Sequence, residues 1–543
     1  MPIPRPLRAG IYHLDVSASG ARGIEAWVTT PLAITSTRTV ADLSLDREWG
    51  ETGDPIAGRV TLSGDPLPKE RAVVRLVDVR GRTLDKTAVK IRGSSGLFSL
   101  PVEDWMPMLL EVRAVLTTDG EDVSSNYAYF HVVRRKRGQF NFVVWSPGGS
   151  FSAADWPYDT LAPYVHQQLA RLGCTALLIG TRSSFRGWPY LPVASADIAL
   201  VPYATRITTD WDDEGFMTIA HANGVCWNND EATDGLVSDT VRKCRFVRQH
   251  GAFVYGLGDE GASSGSCLHP ACLDAYREYL EEEYVDIEKL KQSWDSDYGL
   301  FDEVGLLIPG DNEEEEAHRR GLKARWFDRQ AFQSHNLVNF AGKFAKGFKG
   351  LDPQAISGYE GSGRFADGAD IDLICRTMEY WAPYPGLQDE VVRSITPPEF
   401  INSNWMGYHK GTGDLLGQYW RMVTLGFDSV WFWRWSGMGP YENHPSYHGL
   451  LNGAMVPWEA VQVMLDDTQI VRDGLGTLLL QSRREDDGIA MLYSFPSQFA
   501  IKTGPGLTYG DTEGHEMDPL KEHPELDGKE SLIVYEKNHI SWH

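Results

Sequence analysis

The sequence predicts an α/β protein: a (β/α)8 TIM barrel over residues 139–470, preceded by an antiparallel β-sandwich over residues 1–138. Three observations predict it. At 543 residues the chain is too long for one simple core, so several domains are expected. Its first quarter alternates apolar with polar residues between closely spaced turns. From Gln139 onward, apolar runs alternate with longer helical stretches through eight rounds.

In the first region "GIEAWVTTPLAI", "IAGRVTLSG", "AVVRLVDVRGRTLDKTAVKI", "MLLEVRAVLTT" and "NYAYFHVVRR" alternate with period two, and Gly, Asp, Pro and Ser punctuate them. The basic run "RRKRG", Arg134 to Gly138, reads as a domain junction. The barrel strands are expected at "FNFVVWSP", "CTALLIGT", "GVCWNND", "AFVYGLGDE", "AISGYEG", "ICRTMEYWAPY", "EFINSNWMGY" and "SVWFWRWSG". Helices are expected at "LAPYVHQQLARLG", "VSDTVRKCRFVRQHG" and "RWFDRQAFQSHNLVNFAGKFAKGFKG". A third region, residues 471–543, opens with the strand "GIAMLYSFPSQFAI" and then turns polar. One strand cannot build a domain, so this part packs on the barrel or begins something longer.

The formal net charge of −24 argues against nucleic acid or an anionic membrane as partner and suits a neutral substrate. Six scattered cysteines exclude a disulfide scaffold. The N-terminus "MPIPRPLRAGIYHLDV" lacks the apolar core of a secretory signal, and no apolar run approaches the ~20 residues of a membrane helix. The chain therefore reads as soluble and cytoplasmic. Eighteen tryptophans serve equally as core or as faces that stack on sugar rings.

In a (β/α)8 barrel, chemistry collects at the C-terminal ends of the strands. Strand four ends in the adjacent acids Asp259 and Glu260. A partly desolvated carboxyl there has its pKa raised and can act as a general acid. Glycoside cleavage needs a second carboxylate, about 5–5.5 Å away for retention or about 6.5–9.5 Å for inversion. Strand five offers Glu360 between glycines in "GYEGSG", strand six Glu379, and strand three Asp230 and Glu231. Strand seven has no acid, only Asn402, Asn404 and the aromatic Trp405. Strand eight brings Trp431, Trp433, Arg434 and Trp435, then Glu442 and His444. We expect Glu260 and Glu360 to be catalytic, and Asp259, Asp230, Asn402, Trp405, Trp433, Trp435 and Glu379 to contact substrate.

Three stretches carry a resemblance: "CLHPACLDAYREYLEEEYVDIEKLKQSWDSDYGLFDEV" after strand four, "LLGQYWRMVTLGFDSVWFWRWSGMG…ENH…HGLL", and "GIAMLYSFPSQFAI…VYEKNHISWH". Together they resemble glycoside hydrolase family 42 β-galactosidases and, more broadly, the clan A (β/α)8 glycosidases. The resemblance covers residues 139–543; the N-terminal sandwich has no counterpart there. It implies that Glu260 stands in the place of the acid/base, with Asp259 where the clan has an Asn that binds the sugar 2-hydroxyl. It also implies that the nucleophile's place on strand seven holds Asn402. Glu360 is then the first choice for a relocated nucleophile; inversion and inactivity are the alternatives. The tail resembles the opening of a flavodoxin-like trimerisation domain, which implies a homo-oligomer, a trimer being one form. Family members can bind zinc through four cysteines, whereas only Cys267 and Cys272, with His269 between them, stand here. No metal and no cofactor are expected.

The resulting expectation is a glycoside hydrolase acting on a neutral β-linked glycoside. A catalytically silent carbohydrate-binding relative is the alternative. A metal-dependent barrel hydrolase would need His-rich strand ends, which this chain lacks.

Overall fold

The computed structural model describes residues 8–21, 23–145, 158–180, 190–205, 226–259, 269–306, 313–361, 370–386, 388–408, 411–435, 449–452 and 454–482, with the single positions 488, 492 and 494. The chain divides into two compact units, residues 1–134 with 187–198 and 249–251, and the remainder.

The first unit opens with a two-stranded ribbon, β1 (Gly10–Gly20) and β2 (Gly23–Ile34). It continues as β3 (Thr39–Leu45), β4 (Trp49–Gly50), β5 (Pro55–Ser63), β6 (Arg71–Val77), β7 (Thr83–Val89), β8 (Ser95–Pro101), β9 (Leu109–Thr118) and β10 (Glu121–Val132). These form a three-stranded sheet, β3-β5-β8, and a five-stranded sheet, β4-β10-β9-β6-β7. The expected alternation is met along β5, where Ile56, Gly58, Val60 and Leu62 are buried and their neighbours are not. Both sheets feed one core, with Val60, Leu62, Phe98 and Leu100 from the smaller and Val74, Leu76, Val112 and Phe130 from the larger.

In this unit the rings of His131 and His250 lie edge to face, centroids 4.4 Å apart. Burial lowers the pKa of His131 to about 4; burial, then the neighbouring His131, lowers that of His250 to about 3. Both rings are neutral when folded and take protons more readily once unfolded. Their stabilisation is therefore whole above about pH 6.5 and drains away as pH falls through that value toward the folded pKa values. Each costs on the order of 3 kcal/mol by about pH 4. Thermal melts at descending pH should show a falling midpoint, with a shallower slope for the His131→Gln/His250→Gln protein. Equal slopes would refute the assignment.

The second unit is a closed barrel of eight parallel strands: β11 (Asn141–Trp145), β12 (Ala176–Gly180), β13 (Ala199–Tyr203), β14 (Tyr255–Asp259), β15 (Ser357–Glu360), β16 (Tyr380–Ala382), β17 (Ile401–Met406) and β18 (Ser429–Phe432). Closure comes from β11 pairing with β18, Asn141 opposite Ser429 through Val144 opposite Phe432. Seven strands lie where the sequence predicts them. The third does not. It is "ALVPY" and not "GVCWNND", whose end starts a helix: the Asn229 side chain accepts the amide of Ala232 and caps Asp230–Lys243. Asn at the cap followed by Asp230 and Glu231 in the first turn is a helix-start signal. The predicted helices overlap Tyr158–Arg171, Asp230–Lys243 with Arg245–His250, and Lys323–Leu351.

Before β15, Asp352 is fully buried. Arg135 pairs with it at 2.8 Å and Arg248 at 3.5 Å, while the Tyr255 hydroxyl donates to it at 3.4 Å. Removing the acid takes a buried carboxylate from beside two largely buried guanidinium groups, so Asp352→Ala should cost about 3–5 kcal/mol in chemical denaturation. A loss below about 1 kcal/mol would mean that water reaches these cations.

The third region opens with two short helical segments, Val471–Leu475 and Gly476–Leu480. Of the expected strand at "GIAMLYSFPSQFAI" only Gly488, Leu492 and Ser494 are described, none of them in a strand, and the polar tail lies outside the described residues. No described helix is long and apolar enough to cross a membrane.

Candidate active site

The stretch "YGLGD" of β14 runs beside β15, with Gly256 opposite Gly358, but the next matched pair is Asp259 opposite Glu360. Three residues on one strand thus span two on the other, which is a β-bulge. Gly258 supplies the backbone for it, at φ 109°, a left-handed conformation that a side chain would strain. The bulge brings the Asp259 backbone level with Glu360. Glu260, the expected acid/base, lies one residue beyond and outside the described residues.

Glu360 is wholly buried at the C-terminal end of its strand. Its predecessor Tyr359 turns outward, its hydroxyl donating to the Leu337 carbonyl at 3.4 Å, so alternation turns Glu360 into the barrel. There the Tyr380 hydroxyl donates to Glu360 Oε1 at 2.5 Å. A Cβ on Gly256 would sit 2.1 Å from the same oxygen, so the missing side chain at Gly256 makes the space that the carboxylate fills. Burial, and then the nearby Glu360 carboxylate, drive the Tyr380 pKa far above its ordinary value. The phenol therefore keeps its proton and stays a donor.

Aromatic rings gather at the same end of the barrel. Trp145, last in β11, lies 5.5 Å from Tyr203, 5.7 Å from Trp405 and 5.1 Å from Trp433, centroid to centroid. Tyr408 stacks on Trp433 at 6.1 Å and meets Tyr384 edge-on at 5.7 Å. Tyr203, Tyr384, Tyr408 and Trp433 are only half-buried. Trp405 is buried, and its indole N–H meets no acceptor among the described residues. This collar and the Glu360 carboxylate make the candidate site.

Several expected site residues lie elsewhere. Asp230 is exposed in the first turn of its helix and pairs with Lys343 at 2.8 Å. Glu379 precedes β16, at the opposite end of the barrel from the collar, and pairs with Lys349 at 2.8 Å. Asn402 is near the start of β17, its amide donating to Thr396 Oγ1 at 3.3 Å, and Asn404 donates outward to Asp389. Both asparagines therefore face away from the barrel interior. Burial pushes Asp389 up to about 7, and Arg421 at 2.8 Å opposes that rise. Trp435 is buried and tied by its backbone, donating to the Trp145 carbonyl at 3.0 Å and accepting from Leu451. Of the expected substrate contacts, Trp405 and Trp433 are in the collar. The Asp259 side chain, Glu442, His444 and Cys267 fall outside what is described.

The sequence reading passed over Trp145, Tyr203, Tyr380, Tyr384 and Tyr408. Apart from Tyr380, which opens β16, their common signal is an aromatic residue at or just past a strand's C-terminal end, as in "FVVW", "LVPY" and "WMGY". Cys272 sits in an apolar cluster with its sulfur 3.3 Å from the Asn228 amide, and the His269 ring accepts the Ala271 amide as a helix cap. No group of three or more possible metal ligands occurs among the described residues.

No family model matches the chain, and no curated protein does. Among solved structures, the β-galactosidase of the psychrophilic Marinomonas ef1 is similar at a TM-score of 0.48 and 13% identity, over 67% of this chain and 65% of that one. The catalytic domain of the β-amylase of Paenibacillus polymyxa gives 0.42 and 10%, over 61% and 97%. Bacteroides uniformis β-glucuronidase 3 gives 0.38 and 11%, over 82% and 53%. Similarity this distant does not transfer an activity.

Proposed function

We propose that the barrel is a glycoside hydrolase acting on a neutral β-linked glycoside, β-galactoside-like in class, with Glu260 and Glu360 as its two carboxylates. The observation that carries this reading is the Glu360 carboxylate, bonded by Tyr380 in the space Gly256 leaves, at the same end of the barrel as a half-buried aromatic collar. Aromatic faces suit the apolar faces of a sugar ring, and the Trp405 N–H, which meets no acceptor among the described residues, suits a hydroxyl acceptor. In the retaining form Glu360 attacks the anomeric carbon while Glu260 protonates the departing glycosidic oxygen. Water, deprotonated by Glu260, then displaces Glu360. In the inverting form Glu360 takes a proton from the attacking water and Glu260 protonates the leaving oxygen.

One observation favours a second reading, a silent sugar-binding relative: the Glu360 carboxylate exposes no surface. Hydrolysis of nitrophenyl β-glycosides, run beside calorimetric titration with the corresponding free sugars, separates the two. Turnover supports the hydrolase, binding alone supports the silent relative, and neither response defeats both.

A further inference from the structure

We propose that Asp389 is a positioning residue for the aromatic collar, setting Trp405 from outside the barrel through the Asn404 side chain. Among the described residues, β16 pairs with β17 no further than Trp381 opposite Asn402. Beyond that pair, the Trp405 amide donates to the Asn404 side-chain carbonyl at 2.6 Å. The NH2 end of the same side chain donates to Asp389 Oδ1. Asn404 is wholly buried and gripped at both ends. Asp389 lies in the first turn of the helix Gln388–Ile395. Its Oδ2 accepts the Gly386 amide at 3.3 Å and pairs with Arg421, of the helix Thr412–Leu425, at 2.8 Å. Bonding at the helix start would need only Oδ2; Oδ1 reaches instead to a strand residue that holds the collar. Inside the barrel, the Trp405 ring lies 5.4 Å from Trp431 and 5.7 Å from Trp145, which meets Trp433 and Tyr203. A close-packed interior passes a shift of the Trp405 backbone on to those rings.

The tie depends on charge. Burial pushes Asp389 up to about 7, against the pull of Arg421. Above that value the ionised carboxylate accepts strongly from Asn404; below it the protonated acid is the weaker acceptor and the grip slackens. Arg421 is the cation that faces it, and Glu390 on its own helix pairs with Arg393 at 2.6 Å. The helix Ile371–Thr377, packed alongside, carries Asp372 and Arg376, which pair with each other at 2.9 Å. From β17 it meets only the neutral Asn404. Asp428 is a second acid that burial raises to about 7, and it accepts the Asn402 amide at 2.9 Å near the opposite end of β17. It serves as the control.

Nuclear magnetic resonance of the whole protein, its tryptophans enriched in the heavy nitrogen isotope, tests this without any sugar. The Trp405 backbone amide and the Trp145 indole N–H should shift together with a midpoint at about pH 7. Trp405→Phe and Trp145→Phe identify the two signals. Asp389→Asn keeps an acceptor for Asn404 but does not titrate, so both signals should stand still. Asn404→Ala leaves Asp389 titrating and should abolish the Trp145 shift, whereas Asp428→Asn should preserve both shifts. A Trp145 signal in the wild-type protein that ignores pH overturns the proposal, whatever the variants do. So do shifts that survive Asp389→Asn or Asn404→Ala. For sugar binding the inference rests on the glycosidase reading. Asn404→Ala should then raise KM for a nitrophenyl β-glycoside about 10-fold, one hydrogen bond's worth, and leave kcat within a few-fold. An unchanged KM overturns the link to substrate. Wild-type protein that neither cleaves nor binds sugar defeats the glycosidase reading, and the tryptophan signals still decide the role of Asp389.

Discussion

Glu360→Ala should leave a folded protein whose turnover of β-linked nitrophenyl glycosides is lower on the order of 10⁴-fold, the upper end of what one acid–base or nucleophilic group supplies. The carboxylate is placed rather than merely present. Tyr380 donates to it from β16, and the absent side chain of Gly256 leaves it room. Truncation leaves the Tyr380 hydroxyl without its acceptor, so a modest loss of stability should accompany the loss of rate. Azide tells the two chemistries apart. If Glu360 is the nucleophile, azide enters the space left by Ala, attacks the anomeric carbon and gives a glycosyl azide of inverted configuration. If Glu360 activates water, the wild-type product is already inverted and the carboxyl separation lies in the about 6.5–9.5 Å range. Full activity in Glu360→Ala removes this residue from the mechanism.

Glu260→Gln should cost about 10²–10⁴-fold on an unactivated disaccharide and much less on a nitrophenyl glycoside. The amide keeps the shape of the acid but has no proton to give, and a good leaving group hardly needs one. Sugar affinity should survive, because the loss falls on the transition state and not on ground-state binding. Comparable losses on both substrates would mean that Glu260 positions the sugar and does not protonate it.

Much of the fold was legible because its signals are local. Alternation with period two marks β5, and long apolar-then-helical rounds mark the barrel. The third barrel strand escaped because it is five residues long and carries Pro202, which has no N–H to offer a ladder. The acids after Asn229 looked like a strand end, yet Asn-Asp-Glu is equally the start of a helix, and packing decided for the helix. The phase of β17 was not legible at all. Its residues are almost all buried, as strands of a parallel barrel are, so nothing in "INSNWM" says which side faces in. Only the hydrogen bonds of Asn402 and Asn404 reveal it. Glu360 was found as an isolated acid at a strand end. Tyr380 was not, because the contact joins residues twenty apart in sequence across two strands.

The collar has an optical consequence. Trp145, Trp405 and Trp433 are close enough for their indole transitions to mix, with centroids 5.7 Å and 5.1 Å from Trp145. Coupled chromophores held in a fixed asymmetric array give strong near-ultraviolet circular dichroism. A small tilt of one ring changes that signal more than it changes the energy. Occupancy of the barrel mouth is therefore written into the protein's own absorption bands, and a colourless ligand can be followed without dye, label or turnover.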